Sequence, residues 1–439
     1  MPKLVIEGGA KLKGDVTISG SKNATMPILI STILLDNNFN PSFLNPATTQ
    51  DIIYVIQTLR EVGFDYEILF NKFTAIKFVG QARNIKTNIT ASKIAGLIRT
   101  SILFIGPMLA RFGYIKLPFP GGCSIGERKI DIHLEAMTKL GASVFQGDDY
   151  AELSAPNGLI GCEMDLRFSS VGASQNIIMA CVLAKGTSVI SNIATEPEVM
   201  SLIAFLQFCG AEITLNSSAK QLIIKGTNGA PLNPSKKDRN NEFRIPSDRI
   251  EIGTFITLAA LTDSQLVLHN AHLSDIDNIV GILQKIGCFI QSVQDGLLVS
   301  RGVGGIQNCD IETNIHPAFP TDLQPQITTL FCLGDKKCKI TETIFENRFA
   351  HVAELLKIGA KMSIDGRHCV IEPVKSFSDE PNIELLGHDL RASAAVVMAA
   401  LARPKGTVTT ITNSTQLDRG YDLFDAKLNK CGAKIKRIV

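Results

Sequence analysis

The chain has 439 residues, a formal net charge of +2, 45% hydrophobic and 20% charged residues, and no tryptophan. That length predicts two or three domains with ample core, and the balanced charge leaves no global field to recruit nucleic acid or a membrane surface. Aromatic residues make up only 6% of the chain, which weighs against base stacking as well.

The first residues, MPKLVIEGGAKLKGD, contain no apolar signal core, and no later apolar run reaches the length a bilayer span requires. Ten cysteines are scattered singly with no CxxC pair, and Cys181, Cys209, Cys332 and Cys431 fall inside apolar patterns. The expectation is a reduced, cytoplasmic protein with mostly buried thiols. The seven histidines show neither HxxxH nor HExxH spacing, so no metal site is expected.

A weak internal repeat organises the rest. An amphipathic helix closing on glycine and running into a strand occurs six times: TLREVGFDYEI, MTKLGASVF, FLQFCGAEITL, ILQKIGCFI, LLKIGAKMSI and KLNKCGAKIKRI. The glycines, Gly63, Gly141, Gly210, Gly287, Gly359 and Gly432, are placed as helix C-terminal caps and recur at roughly 70 to 78 residues, far beyond solenoid periods. Upstream of each lies a second helix, apolar nearly all round, beginning near Ser21, Arg99, Ser170, Arg249, Asp322 and Asp389. A helix without a polar face belongs inside a domain. The unit reads strand, buried helix, strand, outer helix, then two strands. The sixth copy lacks its last strand because the chain stops, and KLVIEGG at the other end is the missing piece, so residues 1–21 are expected to complete the sixth unit. The fold class predicted is therefore α/β: two domains of three units each around buried helices, with a cleft between them. The boundaries are 22–246 for the N-terminal domain and 1–21 plus 247–439 for a discontinuous C-terminal domain. The polar stretch TNGAPLNPSKKDRNNEF reads as a linker or surface excursion.

Charges fall at matching places in this frame. Lys22, Arg99 and Arg391 lie at the starts of buried helices, where a cation opposes the helix dipole by roughly 0.3–1 kcal/mol when exposed. Arg128, Arg348 and Arg419 lie at the junctions between the middle strand and the outer helix. Each alone reads as a solvated or paired surface cation; together they point to a site for a polyanion. Asp322 and Asp389 each open a buried helix, as a cap or as a carboxylate serving the same site. Ser170-Val171-Gly172 could bind a diphosphate through backbone N–H groups or simply cap its helix. Cys123 sits in Pro120-Gly121-Gly122-Cys123-Ser124-Ile125-Gly126-Glu127-Arg128, where flanking glycines admit a ligand and guanidinium charge favours a reactive thiol. A surface loop with an incidental cysteine is the bland alternative.

These residues resemble the UDP-N-acetylglucosamine 1-carboxyvinyltransferases. The markers are SGSKNA at 19–24, PGGCSIGER at 120–128, SVGAS at 170–174, PAFPTDLQ at 317–324, TETIFENRF at 341–349, HDLRAS at 388–393 and LDRGY at 417–421. The resemblance implies two inverse α/β domains. It also implies transfer of the enolpyruvyl group of phosphoenolpyruvate to the 3′-hydroxyl of UDP-N-acetylglucosamine, the first committed step of peptidoglycan synthesis, by addition and elimination through a tetrahedral ketal. By the same resemblance, Lys22, Arg128 and Arg419 hold the phosphate of the donor, Arg348 and Arg391 lie near its carboxylate, and Asn23 contacts the sugar region between donor and acceptor. Cys123 is the proton donor and the target of the epoxide fosfomycin, Asp322 the base at the 3′-hydroxyl, and Lys22 and Arg391 complete the catalytic set. The nucleotide sugar lies along Asn23, Arg99, Arg128, Lys129, Ile130, Asp131, Ile132, Phe168, Ser169, Ser170, Val171, Gly172, Asp322 and Ile344. No cofactor or metal is implied, no partner beyond the two substrates, and the expected state is a monomer. The Cys123 loop is expected to close as a lid over the sugar nucleotide.

Some positions depart from the commonest family pattern. Lys129 stands where proline is usual, Phe168 where some members carry a lysine, Ser247 separates Pro246 from Asp248, and the turn ARPKGT is long. A shikimate 3-phosphate enolpyruvyl transferase is the nearest alternative, but that family has a Lys-Ser-x-Ser-Asn-Arg string where this chain has Lys22-Asn23-Ala24. A catalytically silent UDP-sugar-binding paralogue is the other, and measured turnover separates it.

Overall fold

The computed structural model describes residues 2–70, 74–81, 84–121, 125–126, 129–216, 218, 220–234 and 241–438. Cys123 and Arg128 lie outside the described residues. The chain divides into two compact units. A terminal unit joins Met1–Ser19 and Ser247–Val439 with Ile125 and Gly126, and a central unit holds Gly20–Gly122 and Arg128–Pro246.

Among the described residues there are six small sheets, three in each unit. Five combine an antiparallel hairpin from the end of a repeat with a strand that follows the buried helix, the sixth replaces the hairpin by an antiparallel pair from the two ends of the chain, and five of the six sheets add a parallel strand. In the second repeat the parallel strand shrinks to a single bridge, Asn88 with Lys116. All six repeat glycines have positive φ, from 87° at Gly359 to 118° at Gly63. A Cβ is disfavoured in that left-handed turn, which is how each outer helix stops and reverses into its strand.

Strand Lys3–Glu7 lies between Val408–Thr412 and Ile435–Ile438, so the N-terminus fills the interior of the sixth sheet. The next strand behaves differently from the expectation that all of 1–21 serves the sixth unit. Lys13–Thr17 pairs in parallel with Gln265–His269 and so belongs to the fourth sheet. In return, Glu242–Arg244, which leads into the fourth buried helix, pairs in parallel with Ser42–Leu44 of the first sheet. The two lead strands are exchanged. Hydrophobic periodicity shows where strands are, whereas their choice of sheet is set by tertiary pairing. At the two crossings, Asp248 N–H donates to Ser19 O at 2.9 Å within the terminal unit, and Ser21 N–H to Pro246 O at 2.7 Å within the central unit.

The buried helices form the cores. Every residue of Arg249–Leu261 after the first is buried, and so is Leu390–Ala402 up to Leu401. Each fully buried Leu or Ile contributes about 1.5–3 kcal/mol, so the alanines of the second helix serve another end: they let helices approach closely. In the central unit Gly106 does the same, because a Cβ there would lie 2.2 Å from Asn176 O. Asn176 fixes the contact by accepting from Gly106 N–H at 2.6 Å and donating to Ile102 O and His133 Nδ1, both at 3.0 Å. The second buried helix starts later than the sequence pattern suggests. Arg99–Phe104 is a 3-10 turn and the α-helix is Ile105–Phe112. Pro107, lacking an N–H, falls in the first turn of this α-helix, where no intrahelical donor is needed, which suits the later start.

Candidate active site

In the central unit, Lys22 is the first residue of helix Lys22–Ser31, capped by Ser21 Oγ accepting from Ala24 N–H at 3.2 Å. Its ammonium faces the unfavourable end of the helix dipole. Asp51, in the first turn of Gln50–Val62, offsets this with an ion pair at 2.9 Å, both side chains being 7% exposed. Pro27 removes the N–H that would bond Asn23 O inside this helix, which leaves that carbonyl without its helical donor. Thr100 Oγ1 lies 3.2 Å from Met26 Sδ, joining this helix to the turn that Arg99 opens.

Arg99 Nη2 donates to Lys129 O at 3.2 Å. Asp131 starts helix Asp131–Lys139 and pairs with Arg167, which also reaches Glu135 at 3.3 Å. Phe168 is 49% exposed, and Ser169 is buried with its hydroxyl donating to Ile193 O at 3.0 Å. Ser170 caps Val171–Cys181 through Ala173 N–H at 3.4 Å, and Gly172 abuts His133, whose Cε1 would lie 3.4 Å from a Cβ there. The structure thus brings Arg99, Lys129, Asp131 and the 168–172 segment onto neighbouring elements, with Ile130 and Ile132 packed beneath them on the core. Arg167, not singled out in the sequence, belongs to the same patch.

In the terminal unit, Asp322 lies in the 3-10 turn Thr321–Leu323 and does not cap the helix that follows. Its Oδ1 accepts from Arg348 Nη2 at 2.8 Å and its Oδ2 from Arg391 Nη2 at 3.0 Å. The carboxylate is 26% exposed, while the two arginine side chains are 2% and 1% exposed. Asp389, by contrast, takes the capping role, with Oδ1 accepting from Arg391 N–H at 2.8 Å and Ala392 N–H at 2.9 Å. The two aspartates that looked equivalent have different work. Burial opposes the charge of Arg391, but Asp322, the Tyr421 hydroxyl and Asp248 outweigh it and hold the side chain firmly protonated; the Tyr421 ring centroid lies 5.2 Å from the guanidinium carbon.

Arg348 Nε and Arg391 Nε and Nη1 are buried and have no hydrogen-bond partner among the described residues. A buried orphan donor costs about 1–3 kcal/mol, so three around one carboxylate mark a place where a further anion fits. Glu342 braces this region from below. Its carboxylate is buried and accepts from Thr321 Oγ1 at 2.8 Å, Ile344 N–H at 2.9 Å and Phe345 N–H at 3.1 Å, which ties the Asp322 turn to the segment carrying Ile344 and Arg348. Arg419 is half-buried and donates to Gln416 Oε1 at 3.3 Å.

The thiols of the described residues are structural. Burial pushes Cys181, Cys288 and Cys369 up to about 12, far above neutral pH. Among the described residues no group of His, Cys, Asp or Glu side chains is arranged to hold a metal ion, and no helix is long and apolar enough to cross a membrane.

The family profile of EPSP synthase (3-phosphoshikimate 1-carboxyvinyltransferase) matches residues 6–428. Over the full chain and the full length of the relative, the sequence is 41% identical to the UDP-N-acetylglucosamine 1-carboxyvinyltransferase of Pelagibacter ubique. The chain belongs to this family of enolpyruvyl transferases. The relatives of the same description from Wolbachia pipientis of Culex pipiens and from Nitratidesulfovibrio vulgaris are 37% and 36% identical, each over 99% or more of both chains. Two solved structures share the fold: the enolpyruvyl transferase NikO from Streptomyces tendae, with a TM-score of 0.85 at 20% identity over 100% of this chain and 99% of that one, and EPSP synthase from Acinetobacter baumannii, with 0.72 at 16% over all of both chains. The protein is an enolpyruvyl transferase with the α/β architecture of that family.

Proposed function

We propose that the enzyme transfers the carboxyvinyl group of phosphoenolpyruvate to the 3′-hydroxyl of UDP-N-acetylglucosamine and releases inorganic phosphate. The observation that carries the site assignment is the Asp322 carboxylate between two buried arginines with unfilled N–H donors. Those donors suit a planar carboxylate, and phosphoenolpyruvate brings one. In this reading Arg348 and Arg391 take the donor carboxylate, and Lys22, Arg128 and Arg419 take its phosphate, with Asn23 beside the sugar. Arg99, Lys129 to Ile132 and Phe168 to Gly172 accommodate the nucleotide sugar together with Ile344.

Asp322 is the exposed member of its cluster and accepts the proton of the 3′-hydroxyl as that oxygen bonds to C2 of the donor. Its two oxygens are held by Arg348 and Arg391; a donor carboxylate engaging the same arginines loosens that hold and frees an oxygen for the hydroxyl. Cys123 gives a proton to C3, which completes the tetrahedral ketal. Loss of a C3 proton and cleavage of the C2–O bond to phosphate then yield the enol ether. The cations stabilise phosphate as it leaves with its electron pair. A phosphate-release assay with UDP-N-acetylglucosamine and, separately, shikimate 3-phosphate tests the reading. Release with the nucleotide sugar alone is expected; release only with shikimate 3-phosphate overturns it.

A further inference from the structure

Tyr421 is 2% exposed, and none of the steps above uses it. Its oxygen lies 2.9 Å from Gln326 Nε2 and 3.0 Å from Thr254 Oγ1, and Gln326 Nε2 is 3.0 Å from the same threonine oxygen. The protons can be placed. Thr254 gives its single hydroxyl hydrogen to Ile250 O at 2.7 Å, so its oxygen accepts from Gln326 and from the Tyr421 hydroxyl. The tyrosine oxygen in turn accepts from the second Gln326 N–H. Thr254 and Gln326 come from two buried helices, Arg249–Leu261 and Gln324–Phe331, so the phenol is pinned from two sides. Both Gln326 N–H groups are spent on this pair of hydroxyl oxygens, while its Oε1 is buried with no partner among the described residues.

The face of this fixed ring stands 5.2 Å from the Arg391 guanidinium carbon. Arg391 is anchored to Asp322 through Nη2, while Nε and Nη1 have no partner among the described residues. We propose that Tyr421, locked by Gln326 and Thr254, is a positioning residue that holds the Arg391 guanidinium so that its two remaining N–H edges stay set for the donor carboxylate. The proposal rests on the assignment of Arg391 to phosphoenolpyruvate. A tyrosine that merely filled the core would influence folding and leave the affinity for the two substrates alike.

Steady-state kinetics of Tyr421→Phe and Tyr421→Leu test it, with thermal melting alongside. The Phe variant keeps the ring and loses the pinning bonds; the Leu variant loses the cation–π platform. The KM for phosphoenolpyruvate is expected to rise about 2- to 5-fold in the first and about 10- to 30-fold in the second, with kcat and the KM for UDP-N-acetylglucosamine within about 2-fold of wild type. An unchanged KM for phosphoenolpyruvate in either variant, or a parallel loss in all three constants, overturns the proposal. If the Leu variant does not fold, the Phe variant decides alone. A wild-type enzyme that fails to turn over this substrate pair refutes the functional reading instead; calorimetric titration of the same variants with phosphoenolpyruvate then decides the positioning role, supported by the Kd ordering above and overturned by equal Kd values.

Discussion

Replacing Asp322 by asparagine separates its two proposed tasks, holding arginines and accepting a proton. The asparagine amide can present its oxygen to only one of Arg348 and Arg391, and its NH₂ must face the other, donor against donor. The wild-type bonds at 2.8 and 3.0 Å link a part-exposed carboxylate to guanidinium groups that are almost fully buried. Breaking a fully buried pair by removing one partner costs about 3–5 kcal/mol. With 26% of the carboxylate side chain in solvent, a loss of about 2 kcal/mol is the fitting expectation after screening is allowed for. For a unit of this size that lowers Tm by roughly 4–8 °C. Phosphoenolpyruvate should restore more Tm in the variant than in the wild type, because its carboxylate brings negative charge to two buried arginines that have lost the charge of Asp322. Turnover should fall by about 10²- to 10⁴-fold, the usual worth of a general base. Differential scanning calorimetry with and without phosphoenolpyruvate, paired with phosphate release, measures all three effects. Undiminished turnover refutes the base assignment, and an unchanged Tm, or weaker protection by phosphoenolpyruvate than in the wild type, refutes the bridging argument.

Three further outcomes are expected. Cys123→Asp keeps a proton donor and should retain turnover while losing fosfomycin sensitivity; a variant still inhibited by fosfomycin refutes the thiol assignment. His351 is fully buried, and burial pushes it down to about 3, with Asp389 favouring its charge and Arg348 and His388 opposing it. The unfolded chain therefore takes up a proton that the folded chain refuses. Stability is full above about pH 6.5 and falls as pH drops toward 3, by up to about 1.4 kcal/mol per pH unit from this group. Urea titrations of His351→Gln at pH 6 and 4.5 should show a flatter loss than wild type, and equal slopes contradict the argument. Deleting residues 1–19 removes a strand from inside the sixth sheet and one from the edge of the fourth, so limited proteolysis should degrade the terminal unit and spare Gly20–Pro246; the reverse pattern contradicts the strand assignment.

The repeat could be read from sequence because its signals are local: a glycine in a left-handed turn and a helix with no polar face are visible within a dozen residues. The exchange of Lys13–Thr17 and Glu242–Arg244 was not legible, since either strand satisfies its own periodicity in either sheet. Lys22, Arg99 and Arg391 stood out because positive charge at a helix start is locally unfavourable and asks for a reason, whereas Asp322, whose charge suits a helix start, gained its role only from the resemblance. Their supports did not stand out. Asp51, Glu342, Thr254, Gln326 and Tyr421 look like ordinary polar residues until folding places them against Lys22, the Asp322 turn and Arg391. Asp322 and Asp389 show the limit most plainly. Both open a helix in the sequence, and only the positions of Arg348 and Arg391 show that one bridges guanidinium groups while the other caps backbone N–H groups.

Mass spectrometry of the nucleotide sugar after incubation with phosphoenolpyruvate and the wild-type enzyme tests the central claim most directly. The account predicts UDP-N-acetylglucosamine heavier by one carboxyvinyl group attached at the 3′-oxygen, formed in step with free phosphate. An unmodified nucleotide sugar, or a carboxyvinyl group on any other oxygen, contradicts it.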